Sequence, residues 1–320
     1  MEDPYVAVPA TLKSWDVAVV GEIYADHVFS GFPAWPGPGE EVIAENYLRE
    51  LGGGCVNTAC ALSRLGRRVR LVGLIGDADL DWFEGRLGEF GVGMDGIRLG
   101  SDGTGITVSV STVEDRSFFT YPGVNRALPE LLASPEIVAD LVAARHVHFA
   151  MPLPRDLAST LLPLLRQAGC TTSLDVGYSP AWLHDPENAL TCRDVDLFLP
   201  NAKEAALLCG DEAPSSYEAW AGGTGIGRAI LKHGAGGAWI ADAQGLRRVP
   251  APRIDAVDST GAGDAFDAGV IDGLLDGDTI DRCVERGCVC GALCTTAPGA
   301  LQSLPHPPQL RTLREQTYGS

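Results

Sequence analysis

Apolar residues recur along this chain with two periods, and the two alternate. Val17-Ala18-Val19-Val20 is a short continuous apolar run between Asp16 and Gly21, the pattern of a strand buried on both faces. Cys55–Leu65 carries apolar residues at helical spacing and stops at Gly66, and Val69–Leu74 returns to a strand-like run. The same reading predicts strands at His146–Ala150, Thr171–Asp175, Asp194–Leu199 and Ala238–Ala241. Helices are predicted at Asp156–Gln167, Asn201–Leu208 and Gly263–Leu275. This alternation predicts a three-layer α/β fold built on a mostly parallel, doubly wound sheet.

Two segments break the rhythm. Ile106, Val108 and Val110 alternate with Thr107, Ser109 and Ser111, a period of two. Glu114-Asp115-Arg116 then makes a turn, and Ser117–Tyr121 returns as a strand. Asp26–Leu48 is rich in Pro and Gly and ends in a second extended stretch, Glu41–Tyr47. Together they predict a small β-sheet inserted into one domain that spans residues 1–320, from about 26–50 and 103–125. Gly222-Gly223-Thr224-Gly225-Ile226-Gly227 lacks the Lys-Ser/Thr of a phosphate loop and reads as a loop.

Composition narrows the function. Hydrophobic residues make up 45% of the 320 positions and charged residues 21%, as in a globular protein with a real core. A net charge of −18 argues against a nucleic-acid surface, which needs Lys and Arg against phosphate. It does not exclude a nucleotide, which backbone N–H groups and a few local cations can hold. No apolar run reaches the roughly 18–20 residues that span a bilayer, and Met1-Glu2-Asp3-Pro4 lacks a basic leader, so no membrane partner is expected. The 9 cysteines form no C-x-x-C, and Cys283, Cys290 and Cys294 share a helical face with Gly287 as packing residues. A cytoplasmic protein is the expectation. His146 and His148 flank a strand and read as structural.

The richest chemistry lies in Asp258-Ser259-Thr260-Gly261-Ala262-Gly263-Asp264-Ala265-Phe266. A helix N-terminus offers unpaired N–H groups and a positive dipole end to an anion. Gly261, Ala262 and Gly263 let a phosphate come close to the backbone. Asp264 then stands where a carboxylate can take a proton from an attacking hydroxyl, and the combination points to phosphoryl transfer. Asn201 and Glu204 begin a helix just after a predicted strand. They have the form of a capping box, at the edge where open α/β sheets bind ligands. The Gly52-Gly53-Gly54 turn permits close backbone approach to a polyol, and the Asn57 amide can donate to and accept from hydroxyls.

Four segments in order resemble the signatures of the ribokinase-like (PfkB) family of carbohydrate and nucleoside kinases. These are Gly52–Ala59 followed by Leu65-Gly66, Pro200–Glu204, Lys232–Gly237, and Asp258–Phe266. The resemblance implies an ATP-dependent kinase that phosphorylates a sugar or sugar-derived alcohol, with Asp264 as base and Gly261, Ala262 and Gly263 as anion hole. It implies sugar contacts from Asp26, Gly53, Gly54, Asn57 and Arg116. It places Lys232, Gly234 and Gly237 beside the nucleotide, with Asn201 and Glu204 positioning Mg²⁺ through water. Asp258, Thr260 and Ser303, with Cys294 and Gly299, match positions that hold a monovalent cation such as K⁺. In the family the inserted sheet is a lid over the sugar, and its outer face implies a homodimer.

The chain departs from the family pattern in places. Ala78 and Asp81 replace an expected Asp and Gly. Tyr24 stands two residues before Asp26 where ribokinases carry Asn, and Met151 stands where they tend to carry an acid. Tyr24, Phe32, Trp35 and Met151 form a candidate apolar or stacking face, which suits a sugar or a nucleobase. A nucleoside kinase and a non-catalytic sugar or nucleotide sensor therefore remain as alternatives. A dehydrogenase does not, because Gly21-Glu22-Ile23-Tyr24 supplies no dinucleotide fingerprint after the first strand.

Overall fold

The computed structural model describes residues 13–32, 34–112 and 116–319, without the side chains of Ser111, Thr112 and Arg116. The predicted turn at Glu114-Asp115 lies outside them. In chain order the strands are β1 (Trp15–Gly21), β2 (Tyr24–Phe32), β3 (Asn46–Gly52), β4 (Val69–Gly76), β5 (Ile97–Gly100), β6 (Gly105–Thr112), β7 (Arg116–Tyr121), β8 (Ala144–Ala150), β9 (Thr171–Asp175), β10 (Leu197–Phe198), β11 (Arg228–Lys232), β12 (Ala238–Asp242) and β13 (Gly245–Val249).

The main sheet runs β13-β12-β11-β10-β9-β8-β1-β4-β5. Every pair from β5 through β11 is parallel, and β12 and β13 turn back as an antiparallel edge. Apolar side chains leave both faces: Val147, Phe149 and Leu174 enter one core, and Val17, Val19 and Leu71 the other. Helices cover both faces, giving the expected three layers. The chain winds from β1 to β4 on one side and later returns to β8 on the other. A crevice opens at such a switch, beyond the C-terminal strand ends.

The second sheet, β3-β2-β6-β7, joins antiparallel hairpins through the parallel pair β2–β6. It corrects the expected boundaries. β2 occupies Tyr24–Phe32, a strand not singled out within the Pro- and Gly-rich Asp26–Leu48 stretch, and β3 starts at Asn46 rather than at Glu41. Pairing on both edges of β2 satisfies its backbone despite a weak local pattern. Two further expectations fail. Asp194 ends the helix Asn188–Asp194, so β10 is only Leu197–Phe198. Gly222 and Gly223 belong to the helix Pro214–Thr224, which buries Tyr217 against Trp220 (ring centroids 5.9 Å apart) and stops at left-handed Gly225. No helix among the described residues is long and apolar enough to cross a membrane.

The helix Ala262–Asp276 packs on Ile280–Cys294 through bare positions. A Cβ on Gly269 would stand 2.6 Å from Arg286 O, and one on Gly287 2.7 Å from Val270. Cys283, Cys290 and Cys294 are buried free thiols that pack in these cores. His146 and His148 are also buried, held by Thr171 (Nδ1···Oγ1 2.8 Å) and by Ser173 (2.7 Å to each ring).

Burial pushes the two imidazoles down to about 3 and about 4. Unfolded imidazoles take protons near 6.5, so between about pH 6.5 and 4 the unfolded chain binds more protons and folding weakens as pH falls. We expect wild type to lose roughly 1 kcal/mol per pH unit in that window relative to His148→Asn, measured by denaturant unfolding. A stability difference that stays constant with pH would show that His148 is not held neutral.

Candidate active site

Two cavities meet at the C-terminal strand ends. The larger, about 570 Å³, is lined by Asn201, Glu204, Lys232, Gly234, Gly237, Gly263 and Asp264, among others. The smaller, about 430 Å³, is lined by Glu22, Tyr24, Gly53, Gly54, Met151, Tyr178 and Asp264. Asp175 and Gly177 also belong to both walls. Asp264 is thus shared by a pocket of nucleotide dimensions and a pocket that suits a sugar.

Local backbone needs explain why glycines surround this point. Gly53 caps the helix Gly54–Arg64 with φ +98°, and a Cβ there would stand 2.2 Å from Glu22 O. Gly261 caps the helix Ala262–Asp276 with φ +73°, and its Cβ would meet Ala300 at 2.4 Å. Both are left-handed positions that only glycine fills without strain. The two helix starts face each other: Asn57 Nδ2 donates to Asp264 Oδ2 at 2.7 Å, and Thr58 Oγ1 donates to Asp264 O at 3.3 Å.

Burial, and then the Asp175 carboxylate, push Asp264 up to about 7, against the opposing pull of Asn57 and Lys232. A group so poised can hold a proton or release it near neutral pH. Asn57 is buried, and its Oδ1 has no hydrogen-bond partner among the described residues. A buried acceptor of this kind calls for a donor from a ligand or water.

Asn201 caps the helix Ala202–Cys209 in a full capping box. Its Oδ1 accepts from Glu204 N at 3.0 Å, and its own N–H donates to Glu204 Oε2 at 2.9 Å. Glu204 is 3% exposed yet lines the larger cavity. Burial first, and then Asp175, push its carboxyl up to about 7. Its carboxylate fits a divalent cation: a hard oxygen donor in a dry wall gains by sharing positive charge. Among the described residues no group of three or more His, Cys, Asp or Glu forms a cage, and Mg²⁺ held by phosphate and water needs none.

Other expected site residues sit elsewhere. Asp26 packs over Gly52, whose Cβ would stand 2.1 Å from Asp26 Oδ1, and burial pushes its carboxyl up to about 6. Phe32 and Trp35 are absent from the lining of the smaller cavity; Trp35 is exposed and stacks on Phe119 at 6.0 Å. Tyr24 and Met151 do line it, and the Tyr24 hydroxyl donates to Glu22 Oε2 at 2.7 Å. Arg116 opens β7, but its side chain lies outside the described atoms. Asp258 Oδ1 accepts from Thr260 N and Oγ1, and Oδ2 accepts from Gly299 N at 2.9 Å, tying the two loops together.

The family model described as pfkB family carbohydrate kinase matches residues 15–307. The chain belongs to this family of ATP-using carbohydrate kinases. It is a phosphotransferase. It is 34% identical over 253 residues to the ATP-dependent ribose-1-phosphate kinase of Halopiger xanaduensis, covering 78% of this chain and 81% of that protein. It is 29% identical over 274 residues to the 2-dehydro-3-deoxygluconokinase of Bacillus subtilis, covering 81% of this chain and 85% of that one. The structure of Arabidopsis thaliana ribokinase complexed with ribose and ATP superposes with a TM-score of 0.84 at 24% identity, over 94% of this chain and 99% of that chain.

Two wall residues, Asp175 and Glu22, and one buried behind the wall, Asp267, escaped the sequence reading. Asp175 ends β9, at the strand edge where ligands bind, and that position was its only signal. Asp267, fully buried one turn after Asp264, is a carboxylate inside an apolar helix stretch. Glu22 follows β1 directly, and Asn125 clamps the next residue by accepting from Ile23 N and donating to Ile23 O.

Proposed function

We propose that this kinase transfers the γ-phosphoryl group of ATP to a hydroxyl of a sugar or sugar-derived alcohol, with Asp264 as the base. The observation that carries the reading is the place of Asp264 in the wall common to both cavities. The hydroxyl oxygen attacks the γ-phosphorus, its proton passes to Asp264, and the bond to the β-phosphate oxygen breaks to release ADP. The N–H groups of Gly261, Ala262 and Gly263, at the start of the helix Ala262–Asp276, stabilise the charge that grows on the transferred group, the Ala262 N–H being released from Ser259 O (3.2 Å) to do so. Asn57 Oδ1 accepts from a substrate hydroxyl, Gly53 and Gly54 admit the sugar backbone-close, and Asp26 and Arg116 complete the sugar side. Lys232, Gly234 and Gly237 border the nucleotide.

Asn201 and Glu204 position Mg²⁺ through water, and the ion supplies charge neutralisation at the phosphates. Glu204→Gln should raise the Mg²⁺ concentration for half-maximal rate roughly 10-fold or more, with the helix cap retained. An unchanged Mg²⁺ titration would remove Glu204 from that role. K⁺ is assigned to the loops around Asp258, Thr260 and Ser303, whose carbonyls would supply most of the oxygens.

The single domain closes its small sheet as a lid, which keeps water from the phosphoryl group. Trp35, Tyr47, Phe118, Phe119 and Tyr121 are exposed on that sheet and its flank, which supports a homodimer through the lid. Nine free thiols accord with a cytoplasmic protein.

A second reading, a nucleoside kinase, rests on Tyr178, which is 71% exposed and lines the smaller cavity, where it is placed to stack on a base. ADP release with ribose, fructose, 2-keto-3-deoxygluconate and adenosine decides between them. Mg²⁺-dependent turnover of a free sugar supports the first reading. Turnover of adenosine alone supports the second, and turnover of no alcohol at all leaves a sensor.

A further inference from the structure

One buried cluster next to the anion hole has a cost that packing alone does not explain. Lys232 Nζ donates to Asp175 Oδ2 at 2.6 Å and to Asp267 at 3.2 and 3.3 Å. Asp267 is fully buried, and the side chains of Lys232 and Asp175 are about nine-tenths buried. Apolar residues of similar volume often serve stability as well as a buried ionic group does, so retention of three charged-type side chains points to another use. The cluster is also aimed. A Cβ built on Gly263 would stand 3.5 Å from Lys232 Nζ, so the ammonium lies against the bare first turn of the helix that carries Asp264. Lys232, Asp175 and Gly263 all line the larger cavity, and Asp267 supports Lys232 from behind.

We propose that Lys232 contacts the transferring γ-phosphoryl group directly, and that Asp175 and Asp267 are positioning residues that hold its ammonium beside Gly263. The inference rests on the kinase reading above and deepens it from a residue bordering the nucleotide to one that recognises a single phosphate. An ammonium has three N–H donors: one serves Asp175, and one shared by the two Asp267 oxygens at 3.2 and 3.3 Å leaves the third for a ligand oxygen. Lys232 makes and breaks no covalent bond and keeps its protons throughout; its role is charge placed in advance where charge develops. Asp175 stays ionised, because the Lys232 charge overrides its burial, while burial pushes the Asp267 carboxyl well above the usual carboxylate range. Asp267 acts as a shaped support at 3.2 and 3.3 Å from the ammonium, which an amide of the same shape can imitate.

The test is calorimetric titration of the full chain with ADP and with the non-hydrolysable ATP analogue AMP-PNP, both with Mg²⁺, and needs no sugar. Lys232→Met should weaken AMP-PNP roughly 10- to 100-fold, the span of one hydrogen bond to a charged group, and change ADP less than about threefold. Asp267→Asn should keep the wild-type preference for AMP-PNP, and Asp267→Ala should lose much of it. A merely structural cluster would lower the melting temperature and leave that preference intact. Should Lys232→Met fail to fold, the charge-matched Lys232→Met/Asp175→Asn protein carries the same comparison. Equal weakening of both nucleotides, or of neither, overturns the proposal. Separate rate assays of the wild type address the kinase reading: selective AMP-PNP binding without turnover of any alcohol would sink that reading and leave the Lys232 contact standing.

Discussion

Asp264→Asn should reduce kcat by roughly 10²- to 10⁴-fold, the contribution of a positioned general base, while nucleotide affinity stays near wild type. The amide has the volume of the carboxylate and can still accept from Asn57 Nδ2, which lies 2.7 Å from Asp264 Oδ2, so the two helix starts stay joined. What it lacks is a basic oxygen to receive the hydroxyl proton. The variant should also be no less stable than wild type at pH 8. Burial raises the folded carboxyl from 3.8 to about 7, so the folded chain holds a proton that the unfolded chain has released, and this group's contribution to folding is lost as pH rises through about 7. Removing the ionisable group removes that loss.

The same shift sets the pH profile. Wild-type kcat/KM should climb about tenfold per pH unit below pH 7 and level off above it, whereas the residual activity of the variant should lack that limb. Near-wild-type turnover by Asp264→Asn, in a stopped-time ADP assay at saturating substrate, would show that another group takes the proton.

Gly263→Ala should separate stability from activity. Gly263 lies in the first turn of a helix, outside the positive-φ glycines, and its added methyl would meet only Lys232 Nζ, at 3.5 Å, and Lys232 Cε, at 4.0 Å. Alanine therefore fits the fold and, as a better helix former, should leave stability unchanged or raise it by up to about 1 kcal/mol, with the melting temperature held or raised accordingly. The methyl nonetheless projects toward the cavity where the phosphoryl group must approach the backbone. Loss of one anion-hole contact costs roughly 10²–10³ in kcat, and that is the expected fall.

Gly261→Ala should behave in the opposite way. Its φ of +73° and the 2.4 Å approach to Ala300 make the substitution a folding defect first. Melting curves and kcat for the two variants, measured side by side, check the contrast. A destabilised Gly263→Ala with normal kcat in its folded fraction would mean that this turn is not an anion hole.

The parallel sheet was legible because its strands are buried on both faces, and continuous apolar runs such as Val17–Val20 mark such strands. Thr171–Asp175 matches its observed bounds. The capping box at Asn201 and Glu204 was legible for a related reason, since a helix start imposes its own local chemistry. β2 was hidden, because its order comes from neighbours far along the chain, β3 and β6, rather than from its own alternation. Gly222 and Gly223 misled in the other direction: two glycines suggested a loop, but buried Tyr217 and Ala221, with Trp220 packed on Tyr217, anchor that helix.

At the site, Asp264 announced itself through the small residues around it, whereas Asp175 and Asp267 did not. Their meaning depends on Lys232, which is 57 residues from one and 35 from the other, so only the folded chain brings the three together. Glu22 shows the same limit. Its backbone oxygen stands beside Gly53 and its carboxylate beside the Tyr24 hydroxyl, and neither contact leaves a periodic trace in sequence.

The most direct measurement is a crystal structure with Mg²⁺, ADP, aluminium fluoride and the sugar that most raises the melting temperature. The account predicts a planar fluoride group between the two cavities, against the amides of residues 261–263, with a sugar hydroxyl about 3 Å from the Asp264 carboxylate. A nucleotide whose terminal group lies away from that turn, or a sugar whose nearest hydroxyl faces some other side chain, would contradict it.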